Sequence, residues 1–377
     1  MATQVSIPHS QRRKTYTEEI LRAKSELTVA KLADLASFYS ERTPFFSLHT
    51  VIRFCERHPA YVLGRYGSRV GQVEVSFSES EPDVAVAELC LRGDSKCVVA
   101  IQPGVASQTW LISTDAKPSS PEVARGLDPL LDRLGPLLIG GWVSTKQLVT
   151  LLQDAEKSTA CRVRPSRVAS RARGRSTVDW LGASSLNSVV AELSQRKAYL
   201  QSLAFRLVEP RASREVLKAS MNRWYRVSYR SGSYYALRRD LIDPLSVLLA
   251  EQTGGVECSI PQGAAQEEVR FLFDGQQLGD RESHERLLDT IARLPRLGVS
   301  AFHLNPYLQL TVLDYENGST MDLFSNDPAQ VVFLPGPRCS GASILRVSNQ
   351  IYSEFASGKL ERVRATREDS GMGFGAD

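Results

Sequence analysis

Val84-Ala85-Val86-Ala87-Glu88-Leu89-Cys90-Leu91, then Cys97-Val98-Val99-Ala100-Ile101, then Thr109-Trp110-Leu111-Ile112-Ser113 are three runs rich in strand formers, each separated from the next by a short break. Residues 73–77 precede them with the same character, and residues 61–63 form a shorter apolar run of the same kind. Successive strands joined this briefly make a meander, because a parallel pair needs a crossover of about a dozen residues or more. Helical patterns flank the block on both sides. The chain is therefore expected to be α+β, in two domains, each a mostly antiparallel sheet with flanking helices.

Upstream, residues 15–39 read as a helix started by Thr17 before Glu18 and Glu19, with Ile20, Leu21, Leu27, Leu32 and Leu35 tracking one side. Leu48, Val51, Ile52 and Cys55 stand at helical spacing and predict a second helix ending at His58-Pro59. Downstream of the Pro/Ser-rich residues 117–121, helices are expected over 122–138 and 145–152, joined at Gly140-Gly141. These close a first domain, residues 1–155. Residues 156–182 have the composition of a basic linker or arm, and residues 183–365 of a second domain, before a mobile tail at 366–377.

Within the second domain, helices are expected over 184–200, 214–220, 241–251, 281–294 (capped by Asp280) and 342–355. Strands are expected over 203–208, 224–230, 234–237, 269–273, 307–315, 319–324 and 331–334. Ser231-Gly232-Ser233 and Asn317-Gly318 read as hairpin turns, and no internal repeat is evident.

Hydrophobic residues make up 42% and charged residues 23% of the 377, an ordinary globular balance that excludes general disorder. No apolar run approaches the ~20 residues that span a bilayer, and no signal core follows the N-terminus, so a cytoplasmic protein without a membrane partner is expected. The six cysteines are scattered with no CxxC pair, which argues against a disulfide framework, a zinc ribbon or a resident metal. His49, Cys55 and His58 have ligand chemistry without ligand spacing, and His284 and His303 have no recognisable partners.

Charge is the informative part of the composition. The net charge of +4 hides a balance of +10 over residues 151–250 (18 Lys+Arg against 8 Asp+Glu) and of −6 over residues 251–350 (7 against 13). A basic middle calls for a polyanionic partner or an acidic protein surface. Two groups of residues could supply the contact. One is the arginine-rich stretch Arg162, Arg164, Arg167, Arg171, Arg173 and Arg175; the other is the segment carrying Arg223, Trp224, Arg226, Arg230, Tyr234, Arg238 and Arg239. Arginines neutralise phosphates while exposed rings stack on bases, so the pattern suits nucleic acid. The bland alternative is a solvated face of good strand formers.

Pro82-Asp83, followed by Asp94-Ser95-Lys96 before an apolar run, resembles the signature of the PD-(D/E)xK nucleases. The resemblance implies Asp83 and Asp94 as ligands of Mg²⁺ and Lys96 as the group that positions the attacking water. It departs from the pattern at Gly93-Asp94-Ser95, which reads as a hairpin tip rather than a strand. Asp314, Glu316 and Asp322 flank a turn, and residues 335–343 form a loop before a helix; neither holds a complete ligand motif. The expected function is a non-enzymatic binding protein whose basic middle contacts nucleic acid or another polyanion, with no cofactor. The alternatives are the metal-dependent nuclease and a structural or assembly subunit, a homo- or hetero-oligomer held by its separated charges.

Overall fold

The computed structural model describes residues 15–66, 71–91, 96–134, 137–172, 177–181, 185–254, 268–315, 318–337, 339–355 and 358–362. The chain is α+β and divides into two compact units, residues 1–251 and 252–377, each built on one antiparallel sheet. The division falls far downstream of the expected boundary at 155. Residues 162–172 and 177–181, expected in a linker, are strands that extend the first sheet.

The first unit opens with α1 (Tyr16–Arg22) and α2 (Val29–Arg42), where a single helix was expected. Thr15 rather than Thr17 caps α1 in a capping box with Glu18, and Thr28 caps α2. Then come β1 (Leu48–Phe54), α3 (Pro59–Tyr66), β2 (Gly71–Phe77), β3 (Ala85–Leu91), β4 (Lys96–Pro103) and β5 (Thr109–Thr114). After α4 (Asp128–Arg133) and α5 (Thr145–Thr159) follow β6 (Arg162–Ala172), β7 (Thr177–Leu181), α6 (Leu186–Gln195), β8 (Ala198–Val208), β9 (Glu215–Asn222) and β10 (Arg226–Gly232). The unit ends in α7 (Tyr234–Leu237) and α8 (Asp243–Gly254), the last running on past residue 251.

The ten strands are ordered β2-β3-β4-β5-β1-β10-β9-β8-β6-β7. β1, which the sequence pattern predicted as a helix, is a central strand with all seven residues buried. A strand buried on both faces has no period of its own, so its apolar residues fell on helical spacing by coincidence. The 214–220 helix is likewise strand β9, and residues 61–63 lie in α3, which Pro59 opens as a tolerated first-turn proline. The hairpin turn expected at 231–233 sits instead at 223–225, with Tyr225 at φ 57. Ser233 caps α7 in the place of the expected return strand.

Two π-helical turns, Glu122–Leu127 and Arg238–Ile242, each run into an Asp-Pro pair, Asp128-Pro129 and Asp243-Pro244. Proline cannot donate to the carbonyl four residues back and clashes with it, and a widened turn relieves the clash. The aspartate N–H reaches five residues back, to Val123 O in one case and Arg238 O in the other. The recurrence is local to these turns and is not part of a longer sequence repeat.

One face of the β2–β5 and β1 half is sealed by α3 and α4, in a core that includes Val51, Leu63, Val99, Ile101, Ile112, Leu127 and Leu131. On the other half, Leu203, Phe205, Leu217, Met221 and Val227 are buried on the side that carries α2, α5, α6 and α7. On the opposite face, β10 meets the start of α4 through Arg226 and Asp128, whereas β9, β8 and β6 present Lys218, Arg206, Arg162 and Arg164 as exposed residues, and this part of the face holds the candidate site.

The second unit contains β11 (Val269–Leu272), α9 (Arg281–Ala292), β12 (Leu297–His303), β13 (Leu308–Asp314), β14 (Ser319–Ser325), β15 (Gln330–Pro335), α10 (Gly341–Phe355) and β16 (Lys359–Arg362). Its sheet runs β12-β13-β14-β15-β11-β16, of which β12 and β16 were not anticipated. Asp280 caps α9 as expected, and Gly318, at φ 75, supplies the positive φ expected of the β13–β14 turn. Among the described residues no helix is long and apolar enough to cross a membrane. The expected tail at 366–377 lies outside them.

Candidate functional site

β6 alternates. Val163 and Val168 are buried, while Arg162, Arg164, Arg167 and Arg171 are exposed on the uncovered face. The arginine-rich stretch is therefore the outward row of a strand and not a free arm; Arg173 and Arg175 lie outside the described residues.

Register places two further cations beside it. Arg164 stands opposite Arg206 of β8, and Arg206 stands opposite Lys218 of β9. Neighbouring strands are about 4.8 Å apart, so three cations cross the sheet within about 10 Å. Beside this row, Ala204 and Ser220 face one another, and Ser202 faces Asn222. The result is a floor of short side chains next to a bank of long cationic ones.

Compensation by acids is thin. Glu215 lies 3.9 Å from Arg206, and Asp179 pairs with Arg167. Arg162, Arg164 and Lys218 have no acidic partner among the described residues. Sequence reasoning missed Arg206 and Lys218. The signal for Arg206 was present, since Leu203, Phe205 and Leu207 mark the inward positions of β8; Lys218 was hidden by reading β9 as a helix.

The aromatic–basic segment 223–239 has a different fate. Arg223 is only 1% exposed, its guanidinium 4.2 Å from the Trp224 ring centroid and 4.8 Å from that of Tyr199. Arg226 donates to Asp128 at 2.6 Å, Arg238 donates to Gln102 at 3.1 Å, and Arg239 pairs with Asp240 at 2.8 Å. Tyr234 is buried, Trp224 is half-buried, and Arg230 is exposed. Most of this segment's charge and ring surface is thus spent inside the protein.

The nuclease-like residues are not brought together. Ala85 pairs with Ile101 and Cys90 with Lys96, so Asp83 and Lys96 sit at opposite ends of β3, separated by about 17 Å or more. His58 Nε2 donates to the Asp83 carbonyl at 3.0 Å, and Asp94 lies outside the described residues. No group of three or more His, Cys, Asp or Glu among the described residues could hold a metal ion. Asp314 is buried on Arg346, Asp322 accepts from Thr311, and Glu316 lies outside the described residues. At the 335–343 loop, Ser340 Oγ accepts from the Ser343 N–H at the start of α10, and Arg338 lies outside the described residues.

At the inner border of the open face, the His49 ring is buried and its Nδ1 lies 3.2 Å from Ser228 Oγ. Burial, with Arg226 and Arg53 nearby, pushes its pKa down to about 4. The unfolded chain therefore takes up a proton that the folded one refuses. Stability is expected to be full above the ordinary histidine pKa of about 6.5 and to fall by about 3 kcal/mol as the pH drops towards 4. Urea unfolding of wild type and His49→Gln between pH 7.5 and 4.5 checks this; the variant should lose most of that slope.

No protein-family model matches the chain, and no curated protein matches it.

Proposed function

We propose that the open face of the first sheet binds single-stranded nucleic acid through its phosphates. One observation carries the reading: Arg164, Arg206 and Lys218 stand in direct cross-strand register on an exposed face. Like charges directly opposite one another cost stability, and a bound polyanion turns that cost into affinity. The short side chains of Ala204, Ser202 and Ser220 let a strand lie close to the sheet. An open sheet face also offers no helix or projecting ribbon to enter the major groove of a duplex, which favours the single strand. Because the row is cationic and its floor small and polar, contact is expected to the backbone, with little sequence preference. On this reading the protein is a binding protein rather than an enzyme, and it works in the cytoplasm.

Fluorescence anisotropy of labelled single strands across a salt series tests the proposal. Binding should weaken steeply with salt, and Arg164→Ala with Lys218→Ala should reduce the log–log slope by about 1.4, at about 0.7 per phosphate contact. Absence of binding at low salt, or a double variant that binds like wild type, would overturn it. Equal binding of duplex would remove the single-strand preference and leave the phosphate contact standing.

A further inference from the structure

The two sheets end in four edge strands, β2 and β7 in the first unit and β12 and β16 in the second. An edge strand turns the N–H and C=O of every second residue outward, a template for another strand, and charged residues are a common protection. β2 carries Glu74, β7 carries Asp179, and β16 carries Lys359, Glu361 and Arg362. β12, Leu297-Gly298-Val299-Ser300-Ala301-Phe302-His303, carries no Lys, Arg, Asp or Glu. Among the described residues, only β13 pairs with it.

Three observations mark this edge as unfinished. Leu297, Val299 and Ala301 continue the buried row of Asp314, Val312 and Leu310, their register partners, yet Leu297 and Val299 are only half-buried and Ala301 is exposed. The strand is nevertheless firmly held: the Tyr315 ring lies over Gly298, where an added Cβ would meet its Oη at 2.7 Å, and an aromatic laid over an edge glycine supports the extended backbone. The flank of α9 beside the edge is also apolar. Arg286 turns the other way, to Glu354 of α10 at 3.9 Å, while His284 Nδ1 donates to the Leu304 carbonyl, just past β12, at 2.7 Å. Helical geometry therefore puts half-buried Leu288, four residues after His284, on the β12 side, with exposed Ala292 one turn further. The charges near that flank, Arg281 and Glu285, neutralise each other at 2.7 Å.

These features select a second copy of the same chain. The bulge after Ala301 leaves Leu297 to Ala301 as the regular segment, and this segment is its own complement. Run antiparallel about a two-fold axis at Val299, it sets Leu297 against Ala301 of the second copy and Val299 against Val299, apolar on apolar in the buried row. Gly298 then meets Ser300, small on small, on the other face. A strand edge alone offers less than the roughly 800 Å² per partner of a standard stable interface, and the same axis brings the two α9 flanks together. We propose that the chain forms a two-fold dimer by pairing β12 with β12 of a second copy, joining two sheets into one.

Sedimentation velocity of the full chain across a concentration series is expected to show a monomer–dimer equilibrium that high salt leaves in place, because backbone hydrogen bonds and apolar contact hold it. Val299→Lys, which sets two ammonium groups opposite each other at the axis, and Ser300→Lys, on the exposed face of β12, should each weaken the dimer about tenfold or more. Ser300 is exposed, so its replacement spares the core of the protomer, and circular dichroism checks the fold of both variants. Val299→Cys should give a disulfide-linked dimer on oxidation, because directly opposed residues place their Cβ atoms about 4.5 to 5.5 Å apart, whereas Glu361→Cys on the β16 edge should not. Arg164→Ala, on the basic face of the first unit, should leave the dimer unchanged. A monomer at every concentration, open-ended polymers, a dimer lost in high salt, a dimer indifferent to both lysine variants, or equal cross-linking through Glu361→Cys would each overturn the proposal.

Discussion

Replacing Gly232 with alanine is expected to destabilise the first unit by more than about 3 kcal/mol, a large effect for one added methyl group. Gly232 ends β10 at φ +94, just after a register shift, paired with Leu217 of β9. A Cβ there would lie 2.1 Å from the Val216 carbonyl oxygen and 2.8 Å from the Leu217 Cα. Both are backbone atoms of the neighbouring strand, which cannot rotate aside, and the same carbonyl accepts from the Ser233 N–H at 3.0 Å. The clash therefore attacks the β9–β10 pairing and the start of α7 together. Since Lys218 stands on β9 beside this contact, the nucleic-acid binding proposed for this face should be lost with the fold. Gly64→Ala is the control: it lies within α3, its added Cβ would meet only Val75 Cγ2 at 3.8 Å, and it should stabilise by about 0.5 to 1 kcal/mol. Urea unfolding of the two variants should move the midpoint in opposite directions.

Asp314→Ala is expected to cost the second unit about 3 kcal/mol. The carboxylate is 1% exposed and accepts from Arg346 Nη1 and from Ser343 Oγ, each at 2.9 Å. Ser343 lies 3.1 Å from Ser340 Oγ, to which Ser319 Oγ donates at 3.2 Å, so the network ties the end of β13 and the start of β14 to the start of α10. Deleting one member of a buried charged pair leaves the other uncompensated, which is why the loss exceeds the net worth of the pair. Arg346 is partly exposed, so water tempers the loss to the lower part of the range for buried pairs. Hydrogen exchange should show reduced protection in β13, β14 and the first turns of α10. Asp314→Asn, which keeps an acceptor without the charge, should lie between wild type and Asp314→Ala; an alanine variant as stable as wild type would show the network to be incidental.

Gly232 and Asp314 act through partners that no linear reading pairs with them, whereas much of the strand content is local. β2 to β5, β8, β13 and β14 were legible because each alternates or runs apolar between turn residues, and α9 because its cap and stripe are local. β1 and β9 were not. β1 is buried on both faces, and β9 alternates as Glu215-Val216-Leu217-Lys218-Ala219-Ser220-Met221-Asn222, a mix whose strand identity is decided by the partners on either side. Of the candidate site, the arginines of β6 were legible as a basic run, but their placement on a strand was not, and neither was the loss of Arg223, Arg226 and Arg238 to internal partners.

By itself the sequence determined an α+β protein of short antiparallel strands, and a basic middle whose charge exceeds what its neighbours in the chain can balance. Only the tertiary structure decided which of those charges remain available. Arg226 is neutralised by Asp128, 98 residues away, whereas Arg164, Arg206 and Lys218, far apart in the chain, are set side by side by strand register. Composition is local and additive, but ion pairing and exposure depend on distances that only strand order and register create.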